Sequence, residues 1–482
     1  MCVVFLLALA TAQAGDTNIL KSLTLDECIA RALAHNLDVQ IQRLNPHIQS
    51  WGVVAAQGVY DPTLSGAFNY TDSSIPLRPD GSARDKQLES QVGLGGKFAS
   101  GATYGLTASD TRFTPVIGSN FVYTGTAALS VSQPLLKNFG FDVNSATIRI
   151  ARKSRDIAIQ NFLQQVINTI SAVENAYYEL VFAIEDFKAK RDDRALAQQL
   201  LDEDRKRLQT GTISPLDVTQ AEAGVAERQR ALIVAERTIK DNENALKLLI
   251  SQDVSEFAGT SVVPADPVAL EIIATDVAGS VRTALQSRPD YRAAQNTVEQ
   301  QNILIKFNRN QLWPEVDVKA SYGYNTGGDN FNDSINNYGT GRNPVWAAGV
   351  TLSFPLGDRA SRASFHSAKL QAEQLLLQLK RLEQQIIVAV DNAVGHVQSN
   401  WKGVEAAREA TRLANESYKA EKTKLLTGSS TTFLVLQAAS QLADARSAQI
   451  RAEADYNESL VTLAQTEGTT LQRHHVQLNE EF

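Results

Sequence analysis

Apolar positions along the chain follow two different periods. Across residues 144–209 and again across 361–426 they recur in steps of three and four, which predicts two long helices, each with a seam for a partner helix. Neither segment contains proline. At 1.5 Å per residue each helix would extend roughly 100 Å, so each must lie along other helices. The seam positions are Ile159, Phe162, Val166, Ile170, Val173, Tyr177, Leu180, Ile184 and Phe187 in the first segment, and Leu379, Leu382, Ile386, Val390, Ala393, Val397, Trp401 and Val404 in the second.

A period of two marks the segments between the helices. Residues 63–71, 121–133, 316–324 and 346–354 alternate apolar with polar or small side chains, which predicts strands with one apolar face. Their length of about ten residues and the aromatics near their ends are typical of outer-membrane barrel strands. Residues 89–97 and 102–109 form an additional candidate hairpin around Gly101, and whether it joins the wall of such a barrel is left open. Residues 327–344, rich in Gly, Asn and Asp, are expected to be a long exposed loop.

The chain contains an internal repeat. Residues 172–176 recur at 389–393 and residues 208–211 at 425–428, both offset by 217. Earlier in each half the offset is 252, which places Asp38 on Asp290 and Pro62 on Pro314. We therefore expect a first repeat at 15–260, with strands at about 62–133 and a helical hairpin at about 144–250. A second repeat at 261–470 would have strands at about 315–354 and a hairpin at about 361–467, followed by a tail at 471–482.

Each long helix is expected to end at a glycine, Gly211 or Gly428, and the returning helices to span 215–250 and 432–467. These are shorter than the long helices. We expect them to be completed by helical pieces at 25–56 and 276–308. The capping signals of these pieces are Thr24 with Glu27 and, in the second repeat, Thr275.

Composition removes several functional classes. The net charge of −7 is spread evenly, so the basic patch that nucleic-acid binding needs is missing. With only Cys2 and Cys28, no internal disulfide is expected in the mature chain.

Residues 1–14 combine an apolar run with a small-x-small site, which predicts a signal peptide, although the usual basic start is missing. The alternative is a buried N-terminal strand. Beyond residue 14 no stretch reaches the roughly 20 apolar residues of a spanning helix, so any membrane crossing is expected through a barrel.

The side chains that could act in catalysis or metal binding do not form a recognisable site. The six histidines show no metal-ligand spacing apart from the adjacent His474 and His475, which we interpret as a solvated tail. The glycines around Gly95 lie in a strand pattern without a following helix, which argues against a phosphate site. We predict no enzymatic activity, no metal and no cofactor.

The order of helix, strands, long helix, tip and helix, written twice, resembles the TolC-type outer-membrane factors. The likeness covers nearly the whole chain. Its most specific parts are the first helix at 25–36 (LDECIARALAHN), the strand-to-helix junctions at 131–136 (VSQPLL) and 352–357 (LSFPLG), and the hairpin tip at 210–218. There are two departures. The additional hairpin would raise the usual four strands per subunit to six, and Leu434 and Gln437 replace acidic residues often found at the second tip.

The resemblance implies a mainly α fold with a membrane β-barrel part, in which coiled-coil helical hairpins form a periplasmic cylinder and three subunits complete the barrel. It also implies an exit duct for efflux or type I secretion, with a periplasmic adaptor, an inner-membrane pump and outer-membrane lipid as partners. The residues that it implies for adaptor docking lie at the two tips: Leu208, Thr210, Gly211, Ser214, Pro215, Leu425, Thr427 and Gly428.

Asp217 follows the first tip and has two interpretations. Three copies would bring like charges together at the closed end of a tube, where a carboxylate ring attracts cations and constricts the pore. Alternatively, Asp217 merely occupies the first turn of its helix, where an acidic side chain favours the helix dipole.

The long helices also fit a periplasmic structural coiled coil that transports nothing. That alternative requires a soluble protein in which the apolar strand faces are buried, for example against helices of an α+β domain. Dependence on detergent separates the two hypotheses.

Overall fold

The structure, a computed structural model, describes residues 19–77, 81–113, 122–257, 259–266, 270, 272–274, 276–338 and 340–477. The predicted signal peptide, the capping residue Thr275 and the last five residues of the predicted tail lie outside the described residues.

The elements follow the duplicated order that the sequence predicts. The strands are β1 (Ile19–Leu23), β2 (Thr63–Leu77), β3 (Gly81–Lys97), β4 (Thr103–Phe113), β5 (Val122–Pro134), β6 (Thr260–Pro264), β7 (Glu315–Gly328) and β8 (Pro344–Ser353). The helices are α1 (Leu25–His35), α2 (Leu37–Gln57), α3 (Phe141–Asn144), α4 (Ala146–Gln209), α5 (Pro215–Ile250), α6 (Val277–Ser287), α7 (Pro289–Asn310), α8 (Phe331–Tyr338), α9 (Arg359–Leu426), α10 (Thr432–Glu467) and α11 (Thr470–Arg473).

The chain divides into two compact units, and each takes segments from both repeats. Of the described residues, the first contains those within 19–44, 160–291 and 381–477, and the second contains those within 45–159 and 292–380. The first unit therefore holds the helical hairpins with their tips, and the second holds the large sheet.

The sheet of the second unit has six strands in the order β2-β3-β4-β5-β7-β8, all neighbours antiparallel. The predicted strands are confirmed, and most are longer than expected. The additional hairpin forms β3 and β4 and belongs to the same sheet.

The two faces of this sheet differ in chemistry. One row of directly opposed residues crosses all six strands on the apolar face: Leu64, Leu94, Leu106, Leu129, Tyr322 and Trp346. A neighbouring row on the opposite face contains only small or polar residues: Thr63, Gly95, Gly105, Ser130, Ser321 and Ala347. On the polar face a groove of about 550 Å³ runs across β4, β5, β7 and β8. The sheet thus has an apolar face and a polar, grooved face.

The loop prediction for residues 327–344 is wrong in part, because β7 continues to Gly328 and the segment contains α8. This helix packs on the apolar face of the sheet. Ser334 donates to the Asp110 carboxylate at 2.5 Å, and the Tyr338 hydroxyl donates to the carbonyl of Ser109 at 2.6 Å. A side chain at position 125 would collide with Tyr338, which explains Gly125 at that contact. Polar side chains of the segment, which predicted a loop, instead form the hydrogen bonds of this contact.

In the first unit, the predicted seams form the core of the hairpins. Val166, Ile170, Val173 and Leu180 of α4 are each completely buried. The second hairpin has its own cluster on α9 and α10, which includes Ile386, Val390, Val397, Tyr456 and Leu460. Burial of such side chains stabilises a fold by roughly 1.5–3 kcal/mol each.

The helical pieces predicted at 25–56 and 276–308 are each broken once. Asn36 is extended between α1 and α2 because its side chain donates to the carbonyl of Leu249 and accepts from the amides of Asp38 and Val39. Arg288 is extended between α6 and α7 because Pro289 follows it. The Thr24 and Glu27 capping box is confirmed. In the second repeat the cap is Asp276, which accepts from two backbone amides.

Two short strands were not predicted. β1 and β6 pair in parallel, from Ile19 with Thr260 to Leu23 with Pro264. Among the described residues, no helix combines the length and the apolar character that a membrane crossing requires.

Candidate functional site

The two hairpin tips are built by the same turn, 217 residues apart. At the first tip, Gly211 has φ +71° and its amide donates to Leu208 O at 3.0 Å, while the Thr212 amide donates to Arg207 O at 2.9 Å. This is the pattern of a left-handed glycine cap, which satisfies the last carbonyls of α4. Ser214 then caps α5, with Pro215 in its first turn.

The second tip repeats this geometry with one change. Gly428 has φ +77°, and the amides of Gly428 and Ser429 donate to Leu425 O and Lys424 O at 3.2 and 2.8 Å. Thr431 caps α10 and accepts from the Leu434 amide at 3.4 Å. Leu434 stands where the first tip has Asp217, so the second half of the capping box is missing there.

Asp217 lies in the first turn of α5 and completes a capping box. Its carboxylate accepts from the Ser214 amide and hydroxyl, both at 2.9 Å, and its own amide donates to the Ser214 hydroxyl at 3.3 Å. The local role that the sequence allowed is therefore present. Nothing in a single chain tests the pore-constriction role, which remains a prediction.

The predicted docking residues are not equally accessible. Thr210, Gly211, Ser214, Pro215, Thr427 and Gly428 are exposed, whereas Leu208 is half-buried and Leu425 is 8% exposed. Sequence reasoning missed other apolar side chains beside the turns: Leu216, Leu426 and Phe433 are 63%, 73% and 57% exposed. The sequence contains a signal for them. A large apolar residue within a few positions of a glycine that ends a helix lies beside an exposed turn. The tips thus combine exposed backbone turns with exposed apolar side chains.

Leu425 is buried because the two tips share one hydrophobic cluster. It comprises Ala197, Leu200, Leu201 and Ala221 of the first hairpin and Leu425, Val435 and Leu436 of the second. The two hairpins of one chain are therefore packed together near their tips.

A buried carboxylate lies beside this cluster. Asp204 of α4 is 1% exposed, and its Oδ1 accepts from the Thr432 hydroxyl of α10 at 2.8 Å. Burial raises the pKa of Asp204 above its usual value, against the lowering effect of the Thr432 hydrogen bond. Its other oxygen has no hydrogen-bond partner among the described residues. Asp204 follows Leu200 and Leu201 on the buried stripe of α4. A charged residue at an otherwise apolar position of that stripe is the sequence signal by which Asp204 could have been found.

A second polar contact joins the hairpins farther along. Arg228 of α5 lies 2.8 Å from Asp193 of α4, with both side chains largely buried, and its Nη2 donates to Leu436 O at 3.3 Å. Burial raises the pKa of Asp193, and the charge of Arg228 opposes that change. The guanidinium connects both helices of the first hairpin to α10.

Arg451 of α10 is surrounded by carboxylates from two helices. It contacts Glu179 of α4 at 2.8 Å, Asp455 at 2.5 Å and Glu458 at 3.3 Å. Burial, followed by the charge of Glu179, raises the pKa of Glu458 to about 7. This carboxyl group is consequently positioned to titrate near neutral pH.

The interpretation of His474 as part of a solvated tail is wrong. Its side chain is 9% exposed, and Nε2 lies 2.9 Å from Oε1 of Glu174, which is completely buried. The short helix α11 directs the chain back to α4, which places this pair together. Only His475, which is exposed, fits the earlier interpretation.

No group of three or more His, Cys, Asp or Glu side chains is placed to hold a metal ion within the described ranges. The described residues instead form turns, packed helices and a two-faced sheet.

A sequence model of the outer membrane efflux protein family matches residues 97–252 and 281–469, well over half of the chain. The chain belongs to this family. Nodulation protein T of Rhizobium leguminosarum bv. trifolii is 23% identical over 439 residues, which cover 88% of this chain and 81% of that protein. The outer membrane efflux protein BepC of Brucella suis is 22% identical over 438 residues, covering 90% and 82%.

Among solved structures, the CmeC outer membrane channel of Campylobacter jejuni superimposes with a TM-score of 0.68 at 15% identity, over 92% of this chain and 86% of that one. A likeness at this identity establishes the fold. The predicted family, fold class and outer-membrane location with a periplasmic helical part are confirmed, and so is the role as an efflux duct. The structural coiled-coil alternative is not favoured.

Proposed function

We propose that this outer membrane efflux protein works as a homotrimer whose hairpin tips dock a periplasmic adaptor and thereby connect the duct to an inner-membrane pump. The observation that carries the proposal is the pair of equivalent tips, with their glycine-capped turns and exposed apolar side chains. Exposed apolar groups beside free backbone turns are typical of protein interaction sites. The duct needs no catalytic step and no cofactor, because the pump supplies the free energy.

Docking is tested by photo-cross-linking in the native envelope. A photoreactive phenylalanine at Leu216, 63% exposed beside the first tip, should capture a protein of the adaptor class, identified by mass spectrometry. The matched control is the same probe at Leu248, which lies on the same helix, is 66% exposed and is far from the tip. Capture at both positions, or at Leu248 alone, would argue against docking at the tips.

The proposal extends to Asp217 as a pore constriction. Asp217→Ala removes both the charge and the cap, whereas Asp217→Asn keeps an oxygen that can accept from Ser214. If a ring of charges filters ions, both variants should raise single-channel conductance and weaken block by multivalent cations. If only the Ala variant changes the traces, the cap alone is responsible, and unchanged traces in both would remove Asp217 from the pore.

A further inference from the structure

The additional hairpin forms the second and third strands of the six-stranded sheet. β3 pairs with β2 over fifteen positions, from Thr63 with Gly95 to Leu77 with Gly81, and β4 pairs with β5 over eleven. β2 has no other strand partner among the described residues. The hairpin is therefore not an appendage, because it is the part of the sheet that joins β2 to β5.

The hairpin also has the same two faces as the other strands. Leu94 and Leu106 belong to the apolar row that crosses all six strands. Gln91 and Thr107 point to the polar face, since side chains alternate along a strand. In a strand pair that lay outside a membrane wall, we would not expect both the apolar and the polar rows of the neighbouring strands to continue.

The sheet ends in two unpaired edges within the described part of the chain. β2 exposes Leu64 and Phe68 at 77% and 70%, and β8 exposes Trp346 and Leu352 at 74% and 70%. In lipid, the free N–H and C=O groups of such edges must find partners. Because six antiparallel strands alternate in direction, β8 of one copy runs antiparallel to β2 of the next, and the two edges can pair with their apolar faces on the same side.

We propose that copies of this chain pair β8 to β2 and that the β3–β4 hairpin forms one third of the resulting wall. With the trimer of the proposed function, on which this inference rests, three chains of six strands make a wall of eighteen. Four strands per chain would make twelve. The occupant of each free edge is thus a second copy of the same chain.

The extra strands widen the pore. With strands about 4.8 Å apart and tilted by about 40°, eighteen strands enclose a backbone diameter of about 36 Å, against about 24 Å for twelve. The cross-section roughly doubles. Walls of this strand number enclose an aqueous channel in porins, so we expect a water-filled lumen at the membrane.

The test uses cysteine variants of adjacent residues in the hairpin, with the trimer reconstituted into liposomes and planar bilayers. Gln91→Cys and Thr107→Cys on the polar face should react with a membrane-impermeant charged thiol reagent, and the reaction should change the single-channel conductance. Val92→Cys and Leu106→Cys on the apolar face are the matched controls and should not react. The unsubstituted chain is the blank, because Cys28 is completely buried and any reaction at Cys2, within the predicted signal peptide, is measured there.

Cryo-electron microscopy of the unsubstituted trimer provides the second readout, which needs no variant to fold. Eighteen strands in the wall would support the inference. A trimeric channel with a twelve-stranded wall, or equal labelling of both hairpin faces without any change in conductance, would overturn it and leave the proposed function intact. A preparation that forms neither trimers nor channels would contradict the proposed function as well.

Discussion

Replacing Thr432 with valine isolates the buried contact between the two tips. Valine has nearly the shape of threonine, so the substitution removes the hydroxyl that donates to Asp204 at 2.8 Å and little else. The carboxylate, 1% exposed, then has no hydrogen-bond donor among the described residues. Leaving such a group unsatisfied costs about 1–3 kcal/mol. Since 1.4 kcal/mol is a factor of ten, local opening of the tips should become about 5- to 150-fold more frequent.

Hydrogen exchange followed by mass spectrometry measures this opening directly. In Thr432→Val, amides near Asp204 and near the start of α10 should exchange faster at pH 7, whereas amides around Val390, in the other cluster, should not change. Asp204→Asn is the matched variant, because it keeps an oxygen for the Thr432 hydroxyl and removes the buried charge.

Burial raises the pKa of Asp204, so its ionised form is disfavoured in the folded tip and Asp204→Asn should slow exchange at pH 7. Equal exchange rates in Thr432→Val and the unsubstituted protein would show that the Thr432 hydroxyl does not stabilise the tip. Faster exchange in Asp204→Asn would show that the negative charge itself stabilises the tip.

Three further predictions concern the helical unit. Gly211→Ala should destabilise the first tip by about 1 kcal/mol, because the φ of +71° at this position disfavours a side chain. Gly395→Ala within α9 should be neutral or stabilising, since a side chain there meets open space. Thermal unfolding compares the two variants. Burial raises the pKa of Glu458 from 4.5 to about 7, so the folded protein binds this proton more tightly than the unfolded chain does. The stability of the fold should therefore fall as the pH rises through that interval. In a pH series of melting temperatures, Glu458→Gln should lack this decline. His474→Ala removes the imidazole that lies 2.9 Å from buried Glu174 and should lower the melting temperature, whereas His475→Ala, at an exposed position, should not. Equal melting temperatures in both variants would contradict the pairing.

The helical hairpins were predictable because their signals are local. The bounds of α5 and α10 agree with the prediction to the residue, since a glycine ends the preceding helix and a capping residue begins the next. The alternating strands were predictable for the same reason, because each face is recorded in consecutive residues.

The remaining features depend on partners that are distant in sequence. β1 is five residues long and is defined by pairing with residues near Thr260, which no local pattern reveals. His474 looked solvated because its partner Glu174 lies three hundred positions earlier in the chain. α8 has a loop-like composition, and its polar Ser334 is explained only by the Asp110 carboxylate on another strand. The break at Asn36 required knowledge of the Leu249 carbonyl that it contacts.

The proposal that three copies of this chain form a duct in the outer membrane can be tested on the whole protein. The most direct test expresses the chain with a working signal peptide, separates the membranes and images the detergent-extracted particles. Trimers are expected in the outer-membrane fraction, with a helical part on the order of 100 Å long, the length that the rise of α4 and α9 gives. A soluble monomer or dimer that needs no detergent would contradict the proposal.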